Sequence, residues 1–285
     1  MSVFVQQQHS ICDFSGSDSW VILSDIEQSI KRKIEAVGTP LKDWDIQINY
    51  GIKTGYNDAF IISTEKRDEI LANCATDEER QRTADLIRPI LRGRDIKRYG
   101  YDWAGLWLIN THNGVKGVMP RIDIEEYPAV KQHLDKYWDM ISKRADKGDT
   151  PYNLRNCAYV DDFSKPKIVW GNLNLRASFA MVLDNSFINA PSPMIVPASR
   201  YLLGMLNSKI ADYYIRNLGV TRNGGYFEYK PMFVEQLPVP SISEFSFIIE
   251  DLVEKKDERG IDETAYEIYG LTQEEIDYVE SIMNQ

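Results

Sequence analysis

The sequence predicts an α+β fold of mixed, twisted sheets with packed helices, followed by a C-terminal helical tail. Three observations carry this expectation. Apolar residues recur at helical spacing, most clearly Leu202, Leu203, Met205, Leu206, Ile210, Tyr213, Tyr214 and Leu218. Short runs rich in β-branched and aromatic residues stand between the helical stretches, as at 46–50, 106–109 and 167–170. Residues 242–285 are acidic and amphipathic.

In chain order, residues 24–36 place Ile26, Ile30 and Ile34 on one helical stripe. Ser24 with Glu27 forms a capping box, and Gly38 followed by Pro40 ends the helix. Residues 46–50 alternate as a strand. Gly51 and Gly55 between extended segments predict a tight loop or hairpin. Residues 63–86 are polar and acidic, with a helix start at Thr76. Around Arg92-Gly93-Arg94, the apolar Ile90, Leu91 and Ile96 predict a short ordered element with a glycine turn. The strand at 106–109 ends in a turn at 110–114. Residues 127–144 predict one helix, with Pro128 in its first turn and Val130, Leu134, Tyr137, Trp138 and Ile141 as its stripe. Strands follow at 167–172, at 179–183 and 187–189 as a pair around Asp184-Asn185, and at the end of 190–196. Residues 199–218 predict one long helix closed by Gly219. A glycine turn at 221–230 precedes Pro231, Pro238 and Pro240, which mark the end of the compact body. Two acidic helices, 243–258 and 273–283, are joined through 266–271. The division is a helical lead-in at 1–44, a body at 45–241 and an acidic tail at 242–285.

Charge is unevenly placed. The 285-residue chain carries −10, and the tail, with thirteen acidic residues against three basic, accounts for all of it. Within the balanced body, Arg88, Arg92, Arg94, Lys97 and Arg98 stand against Asp95 alone between Arg88 and Tyr99. A compact basic segment on an acidic chain implies local attraction to an anion. Other classes find no support. Cys12, Cys74, Cys157, His9, His112 and His133 show no zinc-ligand spacing. Sparse, odd cysteines fit a reducing cytoplasm. Residues 1–13 are polar and unlike a signal peptide, and no run of about 18 apolar residues could span a membrane. The phosphate-loop pattern G-x-x-x-x-G-K-[ST] is absent, and His112 reads as a turn or surface residue.

Four motifs in order carry a resemblance: Gly51-Ile-Lys-Thr-Gly-Tyr-Asn-Asp-Ala-Phe60, Leu91-Arg-Gly-Arg-Asp-Ile96, Tyr201-Leu-Leu-Gly-Met-Leu-Asn-Ser-Lys209 and Gln236-Leu-Pro-Val-Pro240. Together they resemble the TaqI-like C-terminal specificity domain, the target-recognition part of adenine-specific DNA methyltransferases and of fused restriction-modification enzymes. A looser likeness reaches type I specificity subunits. The ending Ala265-Tyr-Glu-Ile-Tyr-Gly-Leu-Thr-x-Glu-Glu275 is similar to the far C-terminus of such polypeptides, so the likeness covers about 45–285. It implies a DNA methylase specificity-domain-like fold, with 45–241 as the target-recognition domain. It also implies double-stranded DNA as partner, and a separate methyltransferase or nuclease catalytic domain or subunit holding S-adenosylmethionine. No N-P-P-[YFW] motif or glycine-rich cofactor loop occurs in this chain, so no catalytic residue, metal ligand or cofactor site is assigned to it.

Cations and backbone amides on phosphates set register, while side chains with paired donors and acceptors read base edges. The expected phosphate contacts are Lys53, Arg92, Lys97, Arg98 and Lys230. The expected base readers are Arg94, Asn57, Tyr56, Arg222 and Asn223, since Arg pairs with guanine and Asn with adenine. Glycine loops at 51–58, 110–114 and 222–226 would admit close backbone approach. Two alternatives stand beside this reading. One is a complete methyltransferase or nuclease with a divergent site, for which Asp251 with Glu254-Lys255-Lys256 is the nearest nuclease-like cluster. The other is a protein-interaction scaffold acting through the tail. If the tail only docks a partner, deleting 242–285 should leave DNA affinity intact or raised.

Overall fold

The computed structural model describes residues 23–219, 221–240 and 245–284. Expectations for residues 1–22, including the signal-peptide reading, and for 241–244 at the tail boundary lie outside the described residues.

Helix α1 (Asp25–Val37) begins with the expected capping box: Ser24 Oγ accepts from the Glu27 amide, and Glu27 accepts from Ser24 N at 2.7 Å. Strand β1 (Gln47–Tyr50), a helical turn at Asn57–Phe60, strand β2 (Ile61–Ser63) and helix α2 (Thr64–Ala72) follow. Thr76 caps α3 (Asp77–Leu86), as its position predicts. Next come β3 (Ile87–Leu91), β4 (Leu106–Ile109) and α4 (Pro128–Asp135). Strands β5 (Lys167–Trp170), β6 (Leu173–Asn174), β7 (Phe179–Val182), β8 (Phe187–Ile188) and β9 (Pro193–Val196) precede helices α5 (Arg200–Asn207) and α6 (Lys209–Leu218). Strands β10 (Thr221–Arg222) and β11 (Tyr226–Glu228) lead to the tail helices α7 (Ser246–Lys255), α8 (Glu258–Ile268) and α9 (Gln273–Met283).

The central sheet has the order β7-β5-β9-β1 and is antiparallel throughout. Strands β5 and β9 are buried at every position. Successive strand residues face opposite ways, and here that alternation serves two cores. Ile168, Trp170, Phe179 and Ile195 enter one core with α1, α5, α6 and the tail helices. Val169, Ala180, Val182 and Met194 enter the other, with α2, α4 and a second sheet of order β8-β3-β4-β2. Lys167 is the buried exception: its ammonium donates to the carbonyls of Phe163 and Asp184, each at 2.8 Å, and burial pushes its pKa down to about 8.

Several local expectations change because tertiary partners outrank local pattern. The segments at 179–183 and 187–189 are not a hairpin, since β7 joins the central sheet while β8 pairs in parallel with β3. Asp184 turns the chain between them, accepting from Ser186 N at 2.8 Å. The stretch 199–218 is two helices. Ser208 takes φ −65° and ψ 150° and caps Ala211 N. The cause is the preceding residue: the Asn207 amide bonds both the N–H and the carbonyl of Phe179 at 3.0 Å, tying this point to β7. The stretch 127–144 breaks after Asp135 and resumes as one turn at Trp138–Ile141. Residues 51–60 make no hairpin; Ile52 bridges Asn189 in parallel and the chain closes in a helical turn.

The tail holds three helices rather than two. Its Ile249, Val253, Ile261, Ala265, Tyr266, Tyr269 and Val279 are buried in the same core as Ile30, Trp170 and Leu206. Burying each such side chain is worth about 1.5–3 kcal/mol, against a typical net stability of about 5–15 kcal/mol. Deleting the tail would therefore remove part of the first core, so a test of DNA affinity on a chain lacking 242–285 would first need that chain to fold.

Two predictions follow from this packing. A Cβ at Gly204 would lie 2.5 Å from Ile249 Cγ2 and 2.9 Å from Val253 Cγ2, where α5 meets α7. Alanine gains about 1 kcal/mol over glycine within a helix, while overpacking costs about 1–3 kcal/mol. Gly204→Ala is expected to lose up to about 2 kcal/mol in denaturant titration at unchanged m-value; a stabilised variant would contradict the contact. Glu275, 5% exposed, accepts from Lys33 Nζ at 2.6 Å, Ser29 Oγ at 2.7 Å and Thr272 N at 2.7 Å. Burial opposes ionisation, but these donors bring its pKa down from 4.5 to about 2. A depressed carboxylate stabilises above its unfolded pKa and loses that contribution as pH falls through the folded one. Glu275→Gln is expected to cost about 2 kcal/mol at neutral pH, allowing for solvent screening at Lys33. Thermal unfolding should show the gap to the parent closing between pH 4.5 and 2.

Candidate nucleic-acid interface

Both sheets deliver loops to a common edge. The pairing Tyr50–Pro193 and the antiparallel β5–β9 ladder set the ends of β1 and β5 beside the start of β9. The ends of β3 and β8 arrive at the same place. Gly51 N donates to Ser192 O at 2.8 Å, Ile52 N to Ile188 O at 2.7 Å and Asn189 N to Leu91 O at 2.8 Å. A Cβ at Gly93 would stand 2.8 Å from Ser192 Oγ and 3.6 Å from Gly171 Cα, so glycine lets the 92–95 turn settle onto the end of β5. From Gly171 the chain enters β6, and the sheet β10-β11-β6 carries the 221–226 turn from this edge.

The rim so formed gathers most of the expected site residues. Lys53 is exposed and pairs with Asp146 Oδ2 at 2.8 Å. Tyr56 is half-buried, its ring centroid 6.2 Å from that of Tyr137. Asn57 is exposed and accepts from Thr54 Oγ1 at 2.5 Å. Arg94 is exposed at the tip of its turn and makes no hydrogen bond or ion pair through its side chain among the described residues. Lys97 is exposed and donates to Arg94 O at 2.7 Å. Arg222 Nε, at 2.6 Å, and Lys230 Nζ, at 3.1 Å, share the carboxylate of Glu228. Arg222, and then Lys230, hold the Glu228 pKa below its ordinary value. Asn223 is exposed within the turn.

Two of the expected phosphate contacts are committed elsewhere. Arg92 donates from Nε and Nη2 to the two Asp95 oxygens at 2.9 and 2.7 Å, a fork that holds the turn closed. Burial pushes Asp95 up, but Arg92 prevails and its pKa lies below the usual value. The Arg98 side chain is only 10% exposed, with Nε 2.9 Å from Glu258 Oε2 and Nη1 donating to Ala177 O at 3.1 Å. It fastens this segment to the tail and is withdrawn from the surface, which corrects its expected place among the phosphate contacts. The loop at 110–114 also stands apart. Ile109 pairs with Ile87, at the far end of β3, and the loop bonds to Asp149 and Leu154 of the segment whose Asp146 holds Lys53.

Sequence reasoning missed three arginines here. Arg155, 3.3 Å from Asp146 Oδ1, and Arg176, 3.7 Å from Glu258, have side chains about 60% exposed. Leu173, Leu175 and Tyr226 add exposed apolar surface near Arg176. Lone loop arginines carry no pattern that spacing could detect. Arg144 lies beneath the 51–57 loop, donating to the carbonyls of Thr54, Asp146 (2.8 Å), Pro151 (3.1 Å) and Asn153 (2.5 Å). Its guanidinium sits 4.4 Å from the Phe60 ring centroid, and burial brings its pKa down to about 10.

The remaining chemical groups have structural partners. His112 Nδ1 accepts from Gly114 N at 3.1 Å within its turn. In the nuclease-like cluster, Asp251 pairs with Lys255 at 2.5 Å and Glu254 with Arg200 at 3.4 Å on the surface of α7. Among the described residues no three His, Cys, Asp or Glu side chains gather as a metal set, and no helix is long and apolar enough to cross a membrane.

This architecture is that of a segment of restriction-modification enzymes. The chain superposes on the type IIL restriction-modification enzyme MmeI, solved in complex with DNA, with a TM-score of 0.61 and 14% identity over 86% of this chain and 36% of that one. The type IIG restriction endonuclease BpuSI gives 0.56 and 15%, over 90% and 32%. The model of the TaqI-like C-terminal specificity domain matches residues 88–239, more than half of the chain, and the chain belongs to that family. The type II methyltransferase M.PaeR7I of Pseudomonas aeruginosa is 20% identical over 275 residues, 92% of this chain but 44% of the relative. The chain thus spans less than half the length of that relative.

Arg144→Met is expected to lose about 3 kcal/mol or more, because charge-assisted bonds to several carbonyls vanish together. Hydrogen exchange should accelerate first in peptides covering 51–57 and 146–153; uniform acceleration along the chain would contradict the clamp.

Proposed function

We propose that this chain reads the sequence of double-stranded DNA and holds it for adenine-N6 methylation, and for cleavage where that accompanies it. The catalysis belongs to a domain or subunit outside these residues. The observation that carries this is the rim: glycine turns from two sheets converge at one edge, with exposed Lys53, Arg94, Arg155, Arg176 and Arg222 and half-buried Lys230 along it. Membership of the specificity-domain family and the DNA complex of MmeI support the same reading.

In this reading Lys53, Lys97 and Lys230 meet phosphates, while Arg94, Arg222, Asn57 and Asn223 reach base edges and Tyr56 lends a planar face. Arg92 and Arg98 act from behind by fixing the turn. S-adenosylmethionine would be held by the catalytic domain. Gly51 and Gly93 pack against the Ile188 carbonyl and the Ser192 hydroxyl of this chain, which supports placing that cofactor elsewhere.

The test is selection of bound duplexes from a random pool at stated salt, since affinity without it is uninterpretable. Recovery of a defined sequence is expected; an unenriched pool would overturn the proposal. On the recovered site, Arg94→Ala should lose about 1–3 kcal/mol while sparing binding to unrelated duplexes. Lys97→Ala should weaken all duplexes alike and flatten the salt slope by about one unit. Identical behaviour of the two variants across sequences would remove this division of roles.

A further inference from the structure

Four cations of the rim are bridged in pairs by buried or half-buried carboxylates. Asp146 holds two of them, Lys53 Nζ at 2.8 Å and Arg155 Nη1 at 3.3 Å, on separate oxygens. Glu228 holds another two, Arg222 and Lys230. The cation side chains are 56%, 60%, 53% and 38% exposed, whereas the carboxylates are only 25% and 5% exposed. Each group therefore presents two outward cations over an inner anion and carries net charge +1. Lys53 is the largest influence holding Asp146 below its ordinary pKa, and Arg222 does the same for Glu228, so both inner groups stay charged near neutrality.

We infer that Asp146 and Glu228 are specificity-setting residues of the rim, which restrain its cations from binding DNA phosphates regardless of sequence. The inference rests on the duplex-reading function proposed above. A phosphate approaching either pair meets a like charge a few ångströms behind the cations, and must compete with an ion pair already made. A base edge that accepts two hydrogen bonds from Arg222 can compensate for that competition; a lone phosphate contact compensates less. Specificity is a difference of affinities, and a penalty on the wrong partner enlarges it as surely as a gain on the right one. The carboxylates also orient the guanidinium of Arg222 and the ammonium of Lys53 before any duplex arrives, which reduces the ordering cost of a correctly placed contact.

The experiment compares the full chain with Glu228→Gln and Asp146→Asn on the duplex recovered by selection and on a scrambled duplex, across a salt series. Glu263→Gln, in an exposed pair with Arg259 on α8, serves as the control for net charge alone. Each rim variant is expected to bind the scrambled duplex about 3–10-fold more tightly and to steepen its salt slope by about one unit. The ratio of selected to scrambled affinity should fall by a similar factor, while the control leaves that ratio unchanged. The inference is overturned if the rim variants tighten both duplexes equally, if they leave both unchanged, or if the control lowers the ratio as much. Asp146→Asn, at the more exposed carboxylate, decides the matter if Glu228→Gln loses its cooperative thermal transition. A parent chain that enriches no duplex would instead remove the proposed function itself, an outcome distinct from an unchanged ratio on a duplex that binds.

Discussion

The structure depends on a central sheet that must bury both of its faces. Strands β5 and β9 have no solvent side: Ile168, Trp170 and Ile195 enter one core and Val169 and Met194 the other. That constraint explains why so much helix surrounds a four-stranded sheet. Lead-in helix α1, the α5–α6 pair and the three tail helices cover one face, while the second sheet with α2 and α4 covers the other. It also explains why the acidic tail cannot be treated as an appendage. Tyr269 is fully buried and its hydroxyl donates to Pro238 O at 2.7 Å, so the end of the chain closes the core that its middle began.

Sheet edges cannot be buried in the same way, and the rim is where strands from both sheets end. Close backbone approach at Gly51, Gly93 and Gly171 brings the turns within hydrogen-bonding reach of one another. The turns are then held by charge: Arg92 with Asp95, Arg98 with Glu258, and Arg144 under the 51–57 loop. A loop that reads a rigid partner has to be held before binding, since ordering it afterwards would subtract from affinity. Here the more buried arginines hold the loops, while Arg94, Arg155, Arg176 and Arg222 keep exposed guanidinium groups.

Arg98 and Arg94 show how far apart sequence and structure can lie. They are four residues apart in one basic segment, and their types and spacing suggest equal availability. In the fold Arg98 is folded against Ala177 and Glu258, whereas the Arg94 side chain stands exposed at the tip of the turn with no hydrogen bond or ion pair among the described residues. Likewise, Arg155 and Arg176 carry no local signature and reach the rim only because the loops bearing them fold back beside Asp146 and Glu258. Asn207 has the same lesson for secondary structure. The apolar stripe of 199–218 continues unbroken, yet its amide pairing with Phe179 breaks the helix.

By itself the sequence determined the α+β class, the cap of α1 at Ser24, the start of α3 at Thr76, the strands at 106–109 and 167–170, and the ordered motifs that mark the family. These depend on neighbours within a few positions, where side-chain periodicity and capping chemistry act. Only the tertiary structure decided that β7 and β8 part to different sheets, that the tail completes a core, and which cations face outward. Each of those outcomes turns on contacts between residues tens to hundreds of positions apart, and burial across such separations leaves no local periodicity to read.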